Sequence, residues 1–204
     1  MTRVDTVALD IKARAAANAD LAQLSTANRG CVACIDLVAT RQSVVVGDFP
    51  AQARLMLVGE APGAQEDEIG RPFVGKAGAL LDELLSEAGL DRAGIAVANV
   101  LKCRPPGNRA PTRLEAQRCT GWLDRQVELV DPTLVVTLGG TALAWAFGSG
   151  HRLRDMRERL HDWRGRRLLV TYHPSAAIRF GPAGEPMAAL RSDLRLAAGA
   201  LCPH

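Results

Sequence analysis

Four short runs of almost unbroken apolar character punctuate the chain: Arg54-Leu-Met-Leu-Val-Gly59, Ile95-Ala-Val-Ala-Asn-Val-Leu101, Thr133-Leu-Val-Val-Thr-Leu138 and Arg167-Leu-Leu-Val-Thr-Tyr172. None alternates apolar with polar, so each reads as a strand buried on both faces, as in a parallel sheet. Between them apolar residues recur at helical spacing: Leu80, Leu81, Leu84, Leu85 and Ala88 within 75–88, then Leu114, Trp122, Leu123, Val127 and Val130 within 113–130. The second stretch opens with a capping box, Thr112-Arg-Leu-Glu115, just after Pro111. Helices are also expected over 141–147 and 186–201, and one helix on Val4, Val7, Ala8, Ile11 and Ala15 precedes Cys31. Strand and helix in alternation predict an α/β fold, a three-layer α/β/α arrangement around a central four-stranded, mostly parallel sheet. In such folds active sites collect beyond the carboxyl ends of the strands.

No repeat, low-complexity tract or break in composition divides the chain, so residues 1–204 are read as a single domain, with an amino-terminal helix and C-x2-C segment over 1–45. With 204 residues, 48% hydrophobic and 23% charged, disorder and collagen-like structure are excluded. No run approaches the roughly 20 consecutive apolar residues of a membrane span, and charges stand where a signal peptide has its apolar stretch. The expectation is a cytoplasmic protein with no membrane partner. A formal net charge of +3, from 22 Arg and 3 Lys against 22 acidic residues, does not by itself announce a polyanion partner. Any nucleic-acid site must come from local clustering.

Of five cysteines, Cys31 and Cys34 form a C-x2-C pair, Cys103 follows a predicted strand and Cys119 lies in the next helix. A reducing cytosol keeps thiols free, and four thiolates can hold either zinc or an iron-sulfur cluster. Cys202 has no partner in this pattern. Gly70-Arg-Pro-Phe-Val-Gly75-Lys76 satisfies G-x4-G-K, yet Ala77 stands where a phosphate loop needs Ser or Thr, and polar residues separate it from the preceding strand. Nucleotide hydrolysis is set aside on that ground.

Three strand ends carry candidate chemistry. After the first strand comes Gly59-Glu60-Ala-Pro62-Gly63-Ala-Gln-Glu66-Asp67-Glu68, a turn loaded with carboxylates that can orient or activate water. Asn99, inside the second strand, must have its amide satisfied or cost about 1–3 kcal/mol; its donor and acceptor together suit the edge of a nucleobase. His173, followed by Pro174, Ser175 and Arg179, stands at the end of the fourth run. His151, His161 and His204 have no such context.

Together these segments resemble the uracil-DNA glycosylase superfamily, specifically its iron-sulfur branch, family 4. The resemblance runs over roughly residues 28 to 182 through Gly59-Glu-Ala-Pro-Gly, Gly70-Arg-Pro-Phe-Val-Gly-Lys-Ala-Gly78, Asn99-Val-Leu-Lys-Cys-Arg-Pro-Pro-Gly-Asn-Arg109 and His173-Pro-Ser-Ala. It implies a 4Fe-4S cluster on Cys31, Cys34, Cys103 and Cys119, tying the amino-terminal segment to the core. It further implies a monomeric base-excision enzyme of the bacterial or archaeal cytosol, acting on uracil in single- or double-stranded DNA. Phe73 would stack on the flipped base, Asn99 would read its edge, and Glu66 would crowd its 5-carbon against thymine. Glu60, Ala61 and Gly63 would line the base site. His173 would donate to the 2-keto oxygen as negative charge develops, and Glu60 would position water and steady the sugar cation. Arg104, Arg109, Ser175 and Arg179 would meet DNA phosphates, with Ile178 as a wedge.

The alternatives are a covalent or a non-catalytic uracil-DNA-binding protein of the same superfamily. The covalent branch traps DNA through a histidine on an inserted basic loop, and the segment between Cys103 and Cys119 has neither histidine nor insertion. A protein that only held DNA would not need the set Glu60, Phe73, Asn99 and His173.

Overall fold

A computed structural model describes residues 5–201; Val4, Cys202 and His204 lie outside the described residues. Five strands form one sheet in the order β2-β1-β3-β5-β4. They are β1 (Leu55–Gly59), β2 (Ala96–Asn99), β3 (Leu134–Leu138), β4 (Leu160–Trp163) and β5 (Arg166–Thr171). β1, β2, β3 and β5 are parallel, in the register Gly59 with Asn99 and Val58 with Thr137, and every residue of β1, β2 and β3 is buried. That burial is why these strands read as continuous apolar runs.

The expected four-stranded sheet is corrected to five. β4 pairs antiparallel with β5 at the sheet edge, and its Leu-His-Asp-Trp carries only one buried residue, Trp163. A polar edge strand has no long apolar signature, and its exposed Asp162 discourages pairing with other chains.

Ten α-helices occur among the described residues: α1 (Thr6–Ala16), α2 (Leu21–Arg29), α3 (Ile35–Val38), α4 (Ala64–Ile69), α5 (Lys76–Glu87), α6 (Arg113–Val130), α7 (Gly140–Phe147), α8 (Leu153–Met156), α9 (Pro174–Phe180) and α10 (Glu185–Leu201). Leu123 and Val127 of α6, Leu143 of α7 and Met156 of α8 cover one face, against Met56, Val58 and Val135. Leu81, Leu84 and Leu85 of α5, Ala177 of α9 and Leu190 and Leu194 of α10 cover the other, against Leu57, Val136 and Leu169. Three layers result, as the pattern predicts.

The expected amino-terminal helix is α1, and a second helix, α2, which the sequence reading lacks, follows it before Cys31. Asp5 caps α1 by accepting from Val7 N (2.9 Å), and Asp20 starts α2 afresh by accepting from Gln23 N (2.8 Å). Both pack outside α6 through Ile11, Ala15, Leu24, Cys31 and Trp122. The approach of α1 depends on Gly121, where a Cβ would stand 2.9 Å from the Lys12 main chain. β1 has β2 on one side and β3 on the other, so the chain leaves it in opposite directions and opens a crevice at the carboxyl ends of β1 and β3.

Candidate active site and cysteine centre

The crevice is a cleft of about 320 Å³ lined by Glu60, Ala61, Pro62, Gly63, Glu66, Phe73, Asn99, Arg109, His173 and Ser175, with the turn of Leu138 to Gly140 at its side. Glu60 to Gly63 follow β1, Asn99 ends β2, the turn of Leu138 to Gly140 ends β3, His173 follows β5, and Phe73 lies in the loop between α4 and α5. Asn99 is 2% exposed, and its Oδ1 is buried without a hydrogen-bond partner among the described residues. A buried amide oxygen left in that state is costly unless a ligand donor meets it. The floor beneath is open because residue 59 is glycine: a Cβ there would stand 2.4 Å from Asn99 Oδ1 and 2.6 Å from the Phe73 ring.

Phe73 is held by its backbone. Its φ of +54° lies in the left-handed region that non-glycine residues rarely occupy. The first turn of α5 packs against it through Gly78, where a Cβ would be only 1.8 Å from the Phe73 carbonyl oxygen. Its ring is 7% exposed and lies 5.7 Å from the His173 ring, tilted by 33°.

The acidic turn is resolved into different jobs. Glu66 Oε2 accepts from Gly63 N (3.0 Å), while Oε1 accepts from Val74 N (3.1 Å) and Gly75 N (2.9 Å). The backbone N–H groups of the G-x4-G-K segment therefore hold the chain's own carboxylate, and the segment follows α4 instead of a strand. Asp67, fully buried, accepts from Gln42 N and Ser43 N (3.0 Å each) and pins the stretch after α3. Glu60 also lines the cleft, and its carboxylate accepts from the Thr141 hydroxyl of α7 instead of from backbone N–H groups.

His173 caps α9. Ser175 N donates to its Nδ1 (3.1 Å), and the Ser175 hydroxyl lies 2.8 Å from the same atom. An atom that accepts a backbone N–H carries no proton, so the neutral ring holds its hydrogen on Nε2. Burial pulls the imidazole down to about 4, against the opposing influence of the Glu66 carboxylate. At neutral pH the cleft is offered an uncharged N–H donor.

Cys31, Cys34, Cys103 and Cys119 are free thiols lining one pocket with Ala33, Leu37, Leu101, Arg41 and Arg118. Burial is the main reason that Cys34 is pushed up to about 11 and Cys119 to about 12, and the neighbouring cysteines add to both. No group of three or more His, Cys, Asp or Glu among the described residues is arranged around a single ion. Arg41 Nη1 donates to Cys103 Sγ (2.9 Å) and Nη2 to the Cys31 carbonyl (2.7 Å).

A family model described as the uracil DNA glycosylase superfamily matches residues 46–195. The chain belongs to the uracil-DNA glycosylase superfamily. A Thermotoga maritima protein named type-4 uracil-DNA glycosylase is 44% identical over 152 residues, 73% of this chain and 78% of its own length. One of the same name from Pyrobaculum aerophilum is 39% identical over 168 residues, 78% of this chain and 85% of its own. A type-5 uracil-DNA glycosylase from Mycobacterium leprae is 33% identical over 185 residues, 71% and 80% respectively.

Within this superfamily member, some of the residues expected at the site stand apart from the cleft lining. Arg104 donates from Nε to Asn108 Oδ1 (2.7 Å). Ile178 is exposed on α9, and the Arg179 guanidinium lies over the Phe180 ring at 5.0 Å. Arg109 lines the cleft but is engaged by Glu115, Nη1 to Oε2 at 2.9 Å and Nη2 to Oε1 at 2.7 Å. Those bonds, with Thr112 of the observed capping box, hold Glu115 down at about 2. Sequence reasoning missed Thr141, Arg41 and Lys102. Thr141 had a usable signal, a hydroxyl two residues after Gly139 at a strand end. Arg41 had none, since it meets Cys103 across 62 residues.

Proposed function

We propose that the chain is a monofunctional uracil-DNA glycosylase: it flips uracil out of DNA and hydrolyses the N-glycosidic bond, leaving an abasic site. The observation that carries this reading is Asn99, whose buried, unpartnered Oδ1 shares a cleft with an aromatic ring and the Nε2–H of His173. Uracil offers N3–H to Oδ1 and its 4-keto oxygen to the amide N–H; cytosine offers the opposite pattern. Phe73 stacks on the extruded base, Glu66 walls the 5-carbon against thymine, and Ala61 and Gly63 contribute main chain to the base site. The names of the type-4 relatives support the same substrate.

Bond breaking leaves positive charge on the sugar and negative charge on uracil. The His173 Nε2–H donates to the 2-keto oxygen as that anion develops, from a site where burial keeps the ring neutral. Glu60 positions water and faces the sugar cation, with Thr141 fixing its carboxylate. Extrusion costs a few kcal/mol of stacking, least where uracil is mispaired. Ser175, Arg104, Arg109 and Arg179 meet phosphates, and Ile178 enters the vacated stack.

The four cysteines fit a 4Fe-4S cluster. They are unpaired, come from the loop before α3, the loop after β2 and α6, and line a largely apolar pocket with a guanidinium on one sulfur. A cluster gives each thiolate its own iron, which suits cysteines spread around a pocket better than a single ion does. Bound there, it would supply a structural tie between the amino-terminal segment and the strand ends. The whole chain would work as one domain, a monomer on single- or double-stranded uracil-DNA in a bacterial or archaeal cytosol; among the described residues no helix is long and apolar enough to cross a membrane.

The test is an oligonucleotide with one uracil, run on a denaturing gel with and without alkali, beside an Asn99→Ala control. Multiple turnovers of alkali-dependent cleavage, lost in the control, support the proposal. Intact DNA sinks it, and a slow band stable to denaturation would mean covalent capture instead.

A further inference from the structure

Lys102 is 1% exposed, three residues after Asn99 and one before Cys103, in a stretch from Asn99 to Cys103 that is buried at every position. Its Nζ donates to the Asn99 carbonyl (2.7 Å) and to Gln126 Oε1 (2.6 Å); Gln126 Nε2 passes the contact on to the Val46 carbonyl (2.9 Å). The side chain thus folds back over its own segment and clamps the main chain of the residue that lines the base cleft. The backbone N–H of Lys102 itself is directed at the Cys119 sulfur. Among the described residues no carboxylate pairs with this ammonium, and the next residue, Cys103, lines the cysteine pocket. A buried cation without an opposite charge is expensive. Four thiolates around an iron-sulfur cluster would supply that opposite charge.

We propose that Lys102 is a positioning residue that couples the cysteine pocket to the base pocket: its ammonium, balanced by the negative charge of the ligated thiolates, fixes the Asn99 backbone and with it the amide that reads uracil. The inference builds on the uracil reading of Asn99. Lys102 touches neither the base nor the sugar. Filling the cysteine pocket and discriminating the base become linked through one side chain, although the two pockets share no lining residue.

The test is a double-mutant cycle on the iron-loaded protein: wild type, Lys102→Met, Asn99→Ala and the double variant, each measured for uracil release and for the rate of iron loss to a chelator. Lys102→Met is expected to lower kcat/KM about tenfold in the wild-type background and less than about twofold in the Asn99→Ala background, because its effect passes through Asn99. Iron loss is expected to quicken about tenfold, as the cluster loses a buried counter-charge. Equal factors in both backgrounds would show a general structural role and overturn the proposal, as would unchanged iron loss. Where Lys102→Met does not fold, Gln126→Met carries the activity arm of the cycle, since it removes one of the acceptors holding the ammonium; because it keeps the charge, iron loss is there expected to stay as in the wild type, and equal activity factors in both backgrounds would overturn the proposal. A wild-type protein that releases no uracil would instead refute the glycosylase reading beneath it.

Discussion

Replacing His173 with asparagine separates catalysis from folding at a single position. Asparagine is a good helix cap, and its Oδ1 can accept from Ser175 N as the imidazole Nδ1 does now. It is too short to carry a donor to where Nε2 stands. The fold and the start of α9 should survive, with a stability change under about 1 kcal/mol at pH 7.5. The lost donor acts on charge that develops in the transition state, so kcat should fall by about 10²–10³, roughly 2.7–4 kcal/mol, with KM changed little. Linkage provides a second readout. His173 is lowered from an ordinary 6.5 to about 4, so between those values the unfolded chain binds the proton and the native chain does not. Native stability owed to the neutral ring is complete above pH 6.5 and is lost as pH falls towards 4. At pH 5 the loss is at most about 2 kcal/mol, at 1.36 kcal/mol per pH unit, and less in practice because the ring is only partly covered. Urea denaturation of both proteins at pH 7.5 and pH 5 should show the variant gaining relative to wild type at the lower pH. A folded His173→Asn protein within about fivefold of wild-type kcat would refute the assignment of the donor, and a wild-type stability curve without this acid component would refute the buried neutral ring.

Phe73→Ala should weaken binding of uracil-DNA by about 1–3 kcal/mol, the worth of one aromatic stack, measured by titration with a non-cleavable substrate analogue. An affinity within twofold of wild type would place the base elsewhere. Gly59→Ala drives a methyl into Asn99 Oδ1 and the Phe73 ring, so uracil release should fall by at least about 100-fold while thermal unfolding shows a destabilisation of about 1–3 kcal/mol. A normal turnover there would mean that the Asn99 amide does not need its observed position. Glu66→Gln leaves one acceptor oxygen for three backbone donors; denaturant titration should reveal a loss of about 1–3 kcal/mol, and none if the carboxylate is not what holds the two loops together.

The parallel strands were legible because each is buried on both faces and so spells its position in unbroken apolar residues. β4 was not, since an edge strand with one buried side chain looks like loop. α4 and α9 were missed for a related reason: Ala64–Ile69 is acidic and Pro174–Phe180 short, so neither shows a periodic face, and both are fixed by caps at Gly63 and His173. Asn99, Glu60 and His173 could be singled out because a polar group in or at the end of a buried strand is out of place unless it does something; Phe73 lies between α4 and α5 and was legible only through the family resemblance. The division of labour within the carboxylate turn was hidden. Nothing in Glu60, Glu66 and Asp67 as residue types says which two will be consumed by backbone N–H groups arriving from 42–43 and 74–75. Lys102 was equally silent, because its meaning depends on Gln126, 24 residues away.

The carboxylate of Glu66 occupies a ring of main-chain donors of the sort that elsewhere waits for a phosphate. A loop that must gather around an incoming anion loses its freedom at the moment of binding, and affinity falls by that ordering entropy. Here the anion is covalently part of the loop, so the ordering was completed when the protein folded. The same saturation leaves these donors no appetite for free phosphate or for the backbone of undamaged DNA. This part of the cleft lining is therefore ordered in advance and indifferent to a polymer made of the very groups that such a ring would otherwise seize.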